Sequence, residues 1–198
     1  NDHVVGDIIR FAVKNHDVIR GLNFQPVSIC GRIDRSKLSE MRTTISDFLK
    51  LAEEQTNGAL RASDFYPVPV VVPIAKAVGS LRKRRYSEFT AHQHCGAATF
   101  VLVEDGRITP ITRIADVDKF VNSMKKVYDS ASKGRMTEAR IRTMIAMRHI
   151  GLSILRGLLR NVIATGSYEA LGKAMRRMVM ISSMHFMDPY NFDLERVQ

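Results

Sequence analysis

The chain has 198 residues, 45% of them hydrophobic, and a formal net charge of +10, which is ordinary usage for one globular domain or two small ones and excludes wholesale disorder. Its two cysteines, Cys30 and Cys95, exclude a disulfide-rich secreted scaffold and any zinc ribbon needing two CxxC pairs. Asn1-Asp2-His3 is unlike the basic start of a signal peptide, and Arg148, Arg156 and Arg160 interrupt the longest apolar stretch, so no membrane span is expected and the cytoplasm is the expected compartment.

Residues 3–15 place Val4, Ile8, Phe11 and Ala12 at helical spacing. Val18 to Phe24 alternates apolar and polar residues and reads as a strand, ended by Gln25-Pro26 because proline donates no ladder hydrogen bond. Thr43 or Thr44 can cap a helix running to about Thr56, closed by Asn57-Gly58 in the left-handed conformation. Helix, strand, loop and helix in this order make an α/β layer, where ligands sit beyond the carboxyl ends of strands. Residues 25–35 are therefore an expected place for chemistry.

Asp64 to Pro73 is punctuated by three prolines and predicts an extended connector or edge segment. Ile74 to Arg85 predicts a short helix with the basic end Arg82-Lys83-Arg84-Arg85, a run that suits a solvated helix terminus. Two apolar runs, Thr99–Val103 and Arg107–Ile111, flank Glu104-Asp105-Gly106 and predict a hairpin. From Asp116 onward the reading is helical throughout. Asp116 caps a helix to Ala131, Thr137 caps a long one to Thr165, and Ser167 caps a last one that ends before Asp188-Pro189. The expected fold class is mixed α/β, mainly helical, with segments at 1–62, 63–115 and 116–198.

Two groups of side chains can carry chemistry. At the end of the first strand, Asn23, Gln25 and Ser28 offer amides and a hydroxyl, and Arg32 can meet a carboxylate or phosphate. The competing reading is a turn held by the Asn23 and Ser28 side chains. In His92-Gln93-His94-Cys95-Gly96, an extended backbone would put His92 and His94 on one face, able to hold a metal ion between them. Cys95 would join them where Gly96 lets the chain bend. The competing reading is a loop whose histidines bond to backbone, with Cys95 a small buried hydrophobe.

Eight of the ten methionines lie between Met136 and Met187. Helical spacing groups Met144 with Met147, and Met180 with Met184 and Met187, which suits either an adaptable apolar groove or plain helix–helix core. Between Arg135 and His185 nine cations face two acids, but no aromatics are interleaved and no RNP or KH pattern occurs, so nucleic acid is not the expected partner. A Ser-His-Asp order, Walker loop, GxGxxG and HExxH are all absent from the sequence.

Four stretches together resemble the carboxy-terminal part of a family of archaeal radical S-adenosylmethionine proteins, which includes tetraether lipid synthases and methanogen pterin-methylating enzymes. They are His16-Asp17-Val18-Ile19-Arg20-Gly21-Leu22-Asn23-Phe24-Gln25-Pro26-Val27-Ser28, Asp64-Phe65-Tyr66-Pro67-Val68-Pro69, His92-Gln93-His94-Cys95-Gly96-Ala97-Ala98-Thr99-Phe100 and Ile108-Thr109-Pro110-Ile111. The resemblance implies that residues 1–62 are the last β/α units of a partial (β/α) barrel, followed by a linker with a hairpin and a helical, Met-rich end. It also implies a parent enzyme that uses S-adenosylmethionine and a [4Fe–4S] cluster to abstract hydrogen from an inert carbon of a lipid chain or a pterin.

The family's cluster is held by a CxxxCxxC triplet, which Cys30 and Cys95, 65 positions apart, cannot supply. The chain is accordingly expected to be an inactive fragment that binds no cofactor alone, with the remainder of the parent as its partner and a homo-oligomer as an alternative. Asn23, Gln25, Ser28 and Arg32 are the expected cofactor-binding residues, and His92, His94 and Cys95 the expected metal ligands. The alternatives are a basic helical module binding RNA or protein, and a small His/Cys metal-binding domain.

Overall fold

The computed structural model of the chain describes residues 1–150 and 177–196. Helix α1 (Val5–Lys14) buries Val5, Ile9, Ala12 and Val13 along one stripe, the periodicity of a helix packed on one side. Helix α3 (Ile45–Gln55) starts with a capping box: Asp47 N donates to Thr44 Oγ1 at 3.2 Å and Thr44 N to Asp47 Oδ2 at 2.9 Å. It closes with Asn57 at φ 52° and Gly58 at φ 72°, the left-handed pair expected there. A short helix, α2 (Leu38–Met41), precedes it.

Five strands form one sheet in the order β1-β5-β3-β2, with β4 also on β3. Strand β1 (Gly21–Phe24) is shorter than the expected Val18–Phe24 because Val18 and Ile19 N–H groups both donate to Asn15 O, turning the chain off helix α1. Strand β2 (Tyr66–Pro67) lies on an edge, where proline is tolerated. The expected extended run to Pro73 stops there. Val68–Val71 forms a 3₁₀ turn and α4 (Val72–Arg82) begins at once, with Pro73 in the first helical turn, where a missing N–H costs nothing. Strands β3 (Gly96–Glu104) and β4 (Arg107–Pro110) make the expected hairpin. Asp105 and Gly106 both have positive φ, 49° and 74°, as a two-residue turn of this hand requires.

The carboxy-terminal third departs most from the sequence reading. Helix α5 (Val117–Ser132) is capped by Asp116, whose carboxylate accepts from Lys119 N at 3.1 Å. Helix α6 (Met136–Met147) starts without a Thr137 cap and ends well before Thr165; Ile150 then bridges to Ala115. The rest of that expected helix, and the start of the last one at Ser167, lie outside the described residues. Where the last helix was expected to end stands strand β5 (Met178–Met184). Met180 and Met184 therefore lie on a strand. The run Met178-Val179-Met180-Ile181 is apolar without alternation, and such a short run does not separate helix from buried strand. Burial on both sides by neighbouring strands decided it.

Strand β5 runs parallel to β1 (Gly21 opposite Met180, Phe24 opposite Ser183) and antiparallel to β3 (Gly96 opposite Met184, Leu102 opposite Met178). Helices α1 and α3 cover one face, where Val5, Ile9, Val13, Phe48 and Ala52 pack on Val101, Val179 and Ile181. A second cluster joins α4, α5 and α6 through Ala77, Met124, Val127, Ala139 and Ala146; its alanines let the helices approach closely. Among the described residues no helix is long and apolar enough to cross a membrane. Removing the buried Ile181 side chain (0% exposed) as Ile181→Ala is expected to cost about 2–5 kcal/mol in urea unfolding. Met144→Ala, at a position 74% exposed, should stay within about 0.5 kcal/mol of wild type.

Candidate functional site

Strand directions bring separate parts of the chain to one end of the sheet. Parallel β1 and β5 both finish there, and antiparallel β3 starts there, so residues 25–32, 92–95 and 185–191 meet. His185 N donates to Cys95 O at 2.9 Å, and Tyr190 OH donates to Gly31 O. The two groups of candidate residues, remote in sequence, thus belong to one region.

A carboxylate that the sequence reading treated only as a helix stop organises this end. Asp188 is 3% exposed. Its Oδ1 accepts from Arg42 Nη2 at 3.0 Å and from Tyr190 N at 2.9 Å, and its Oδ2 from Ile29 N at 2.9 Å. The Arg42 hydrogen bond outweighs the cost of burial, and with the two backbone donors it holds the Asp188 pKa down at about 2. Asn191 braces the loop from the other side: Oδ1 accepts from Asp188 N at 2.7 Å, and Nδ2 lies 2.8 Å from His185 Nε2. Asp188 and Arg42 could not be found from sequence because the strand that delivers Asp188 read as helix.

The expected cofactor-binding residues are arranged around this clasp. Asn23 is exposed, and its Oδ1 accepts from Ser182 Oγ at 3.1 Å. Gln25 and Arg32 are exposed and Ser28 is half-buried. The Ser28 hydroxyl and Arg42 Nη1 are buried without a hydrogen-bond partner among the described residues.

The His92–Cys95 segment is a turn, closed by Cys95 N donating to His92 O at 2.8 Å, so the extended backbone assumed for it does not hold. The turn still brings the two rings together, edge to face with centroids 5.0 Å apart. His92 Nδ1 accepts from His94 N at 3.3 Å. Gly96 does not supply the bend. It opens β3, and a Cβ there would come within 2.9 Å of Val68 Cγ2. Among the described residues no group of three or more His, Cys, Asp or Glu side chains is placed to hold a metal ion.

A second polar node lies where β2 enters the sheet and β4 leaves it. Asp64, 4% exposed, accepts from Thr112 Oγ1 and Arg113 Nη2, each at 2.6 Å, and from Arg61 N at 2.8 Å. Burial would raise its pKa, but these donors together lower it. Arg113 and Thr112 also border a polar cleft of about 610 Å³ that includes Tyr66, Asp116, Asp118, Arg148 and His149. Burial, then the Asp118 and Asp116 carboxylates, push the Tyr66 phenol above its usual pKa.

The fold is of the mixed α/β class, with buried polar groups gathered at one end of the sheet. No family model matches the chain. Over its whole length it is 43% identical to the 7,8-dihydro-6-hydroxymethylpterin dimethyltransferase of Methanocaldococcus jannaschii, and it spans 41% of that relative's length. Identity at this level makes the chain a homologue of that part of the pterin dimethyltransferase and supports the resemblance carried by its motifs.

Asp188 ionises near 2 in the folded protein against an ordinary 3.8, so its contribution to stability is complete above about pH 4 and is lost as pH falls through 2. Asp188→Asn should therefore be less stable than wild type at neutral pH. The gap in denaturant midpoint should close between pH 4 and pH 2.

Proposed function

We propose that this chain is the substrate-facing part of a radical S-adenosylmethionine enzyme that methylates a reduced pterin. The observation that carries the reading is that residues 25–32 and 92–95 both bond to the 185–191 segment at one sheet end, in a chain homologous to part of a pterin dimethyltransferase. The relative's substrate favours a pterin over the lipid chain that the resemblance also allowed.

The residues fit the two cofactors of such an enzyme unequally. Ser28 Oγ and Arg42 Nη1, buried donors without a partner among the described residues, suit an anionic group such as the carboxylate of S-adenosylmethionine, with Gln25 and Arg32 exposed on the same strand-end loop as Ser28. Hydrogen abstraction from an unactivated carbon is the chemistry such a cofactor supplies. A [4Fe–4S] cluster needs three thiolates from the protein, and Cys30 and Cys95 do not make a set of three. The cluster is therefore assigned to the rest of a longer parent, and this chain supplies the wall, the strand-end loop and the Asp188 clasp that holds it.

Two measurements check the reading. The 198-residue chain, supplied with S-adenosylmethionine, iron, sulfide and reductant, should release no 5′-deoxyadenosine. The parent, treated the same way with 7,8-dihydro-6-hydroxymethylpterin, should release it and methylate the pterin; a reconstituted parent that leaves the pterin unmethylated overturns the assignment.

A further inference from the structure

We propose that the row Asn23–Ser182–Ala98–Tyr66 is the seat of the pterin ring, with the Asn23 amide as a hydrogen-bond donor to it. The inference rests on the function proposed above and deepens it. It moves Asn23 from the cofactor-binding set to the substrate.

The register creates the row. Asn23 pairs with Ser182, Ser182 with Ala98 and Ala98 with Tyr66, across four strands. Alternation puts these side chains on the face opposite Val179, Ile181 and Val101, and so opposite helices α1 and α3. The two central members are small, Ser182 buried and Ala98 half-buried, so they lie low between Asn23 and Tyr66, which stand about 14 Å apart across three strand spacings. That suits a bicyclic ring laid on the sheet. The next row along the strands is Gly21, Met180 and Phe100. Met180 Cε lies 3.5 Å from where a Cβ on Gly21 would be. A thioether and an aromatic ring therefore border the floor, and both make favourable contacts with a π-system.

One hydroxyl fixes the polar end of the row. Ser182 Oγ donates to Leu22 O at 2.9 Å and lies 3.1 Å from Asn23 Oδ1. The one hydroxyl proton is shared between these two acceptors, and Asn23 Nδ2 makes no hydrogen bond among the described residues while its side chain is exposed, which leaves it open to an acceptor on a ligand. A pterin offers ring nitrogen and carbonyl acceptors in its plane. At the far end, the Tyr66 phenol sits beside Asp118, closing the row with a fixed ring. Asn23 would touch substrate, whereas Ser182 is a positioning residue.

The test uses the reconstituted parent and fluorescence titration with 7,8-dihydro-6-hydroxymethylpterin, with S-adenosylmethionine affinity measured in parallel. Asn23→Ala and Asn23→Asp should each weaken pterin binding about tenfold, the loss of one hydrogen bond, because an ionised aspartate keeps the shape but cannot donate. S-adenosylmethionine affinity should stay within about twofold of wild type. Ser182→Ala should weaken pterin binding and Ser182→Thr, which keeps the hydroxyl, should restore it. Wild-type pterin binding with no effect of either Asn23 variant overturns the seat and leaves the proposed function standing. A loss confined to S-adenosylmethionine returns Asn23 to the cofactor and also overturns it. A wild-type parent that neither binds nor methylates the pterin removes the function itself.

Discussion

Strand β5 is the element on which the functional end of the molecule depends. It lies between β1 and β3, parallel to one and antiparallel to the other, so its backbone groups are satisfied on both sides. Buried N–H and C=O groups without partners are costly, and seven residues at the middle of a sheet can meet that requirement only through both neighbours. Val179, Ile181 and Ser183 are all 0% exposed. Without β5, residues 21–24 and 96–104 would have no ladder between them, and the loops that follow would have no common end at which to meet.

The polar chemistry is a consequence of that placement. Asp188 lies just beyond β5 and is buried, a position that a carboxylate holds only when it is paired and hydrogen-bonded. Arg42, between α2 and α3, supplies the charge, and the backbone of Ile29 and Tyr190 supplies two further donors. Removing one partner from such a set leaves an uncompensated buried charge. The same contacts therefore stabilise the fold and set the path of residues 25–32. Asp64 plays a similar part elsewhere, joining Arg61, Thr112 and Arg113 across about fifty positions of sequence.

Local signals were legible where a few neighbouring residues decide the outcome. The cap at Thr44, one of the two threonines offered, the Asn57-Gly58 stop, the Asp105-Gly106 turn and the Asp116 cap each work within about four residues, and each stands where the sequence puts it. Pro73 misled because proline suits both an extended run and a first helical turn. Met178–Met184 misled because methionine favours helices and an unbroken apolar run has no period to read. His92-Gln93-His94 was noticed for its spacing, but its geometry depends on a turn closed by Cys95 N–H, which spacing does not reveal.

The amino-acid order alone determined the caps, the hairpin, helices α1 and α3 and the motifs that tie the chain to a family, because each of these is written in adjacent residues. Tertiary structure alone decided that Asn23 would stand in one row with Ser182, Ala98 and Tyr66, and that Arg42 and Asp188 would form one clasp. Those neighbours are brought together by strand register and direction. Such pairings are settled by the burial and hydrogen bonding of the whole sheet, and no segment carries them by itself.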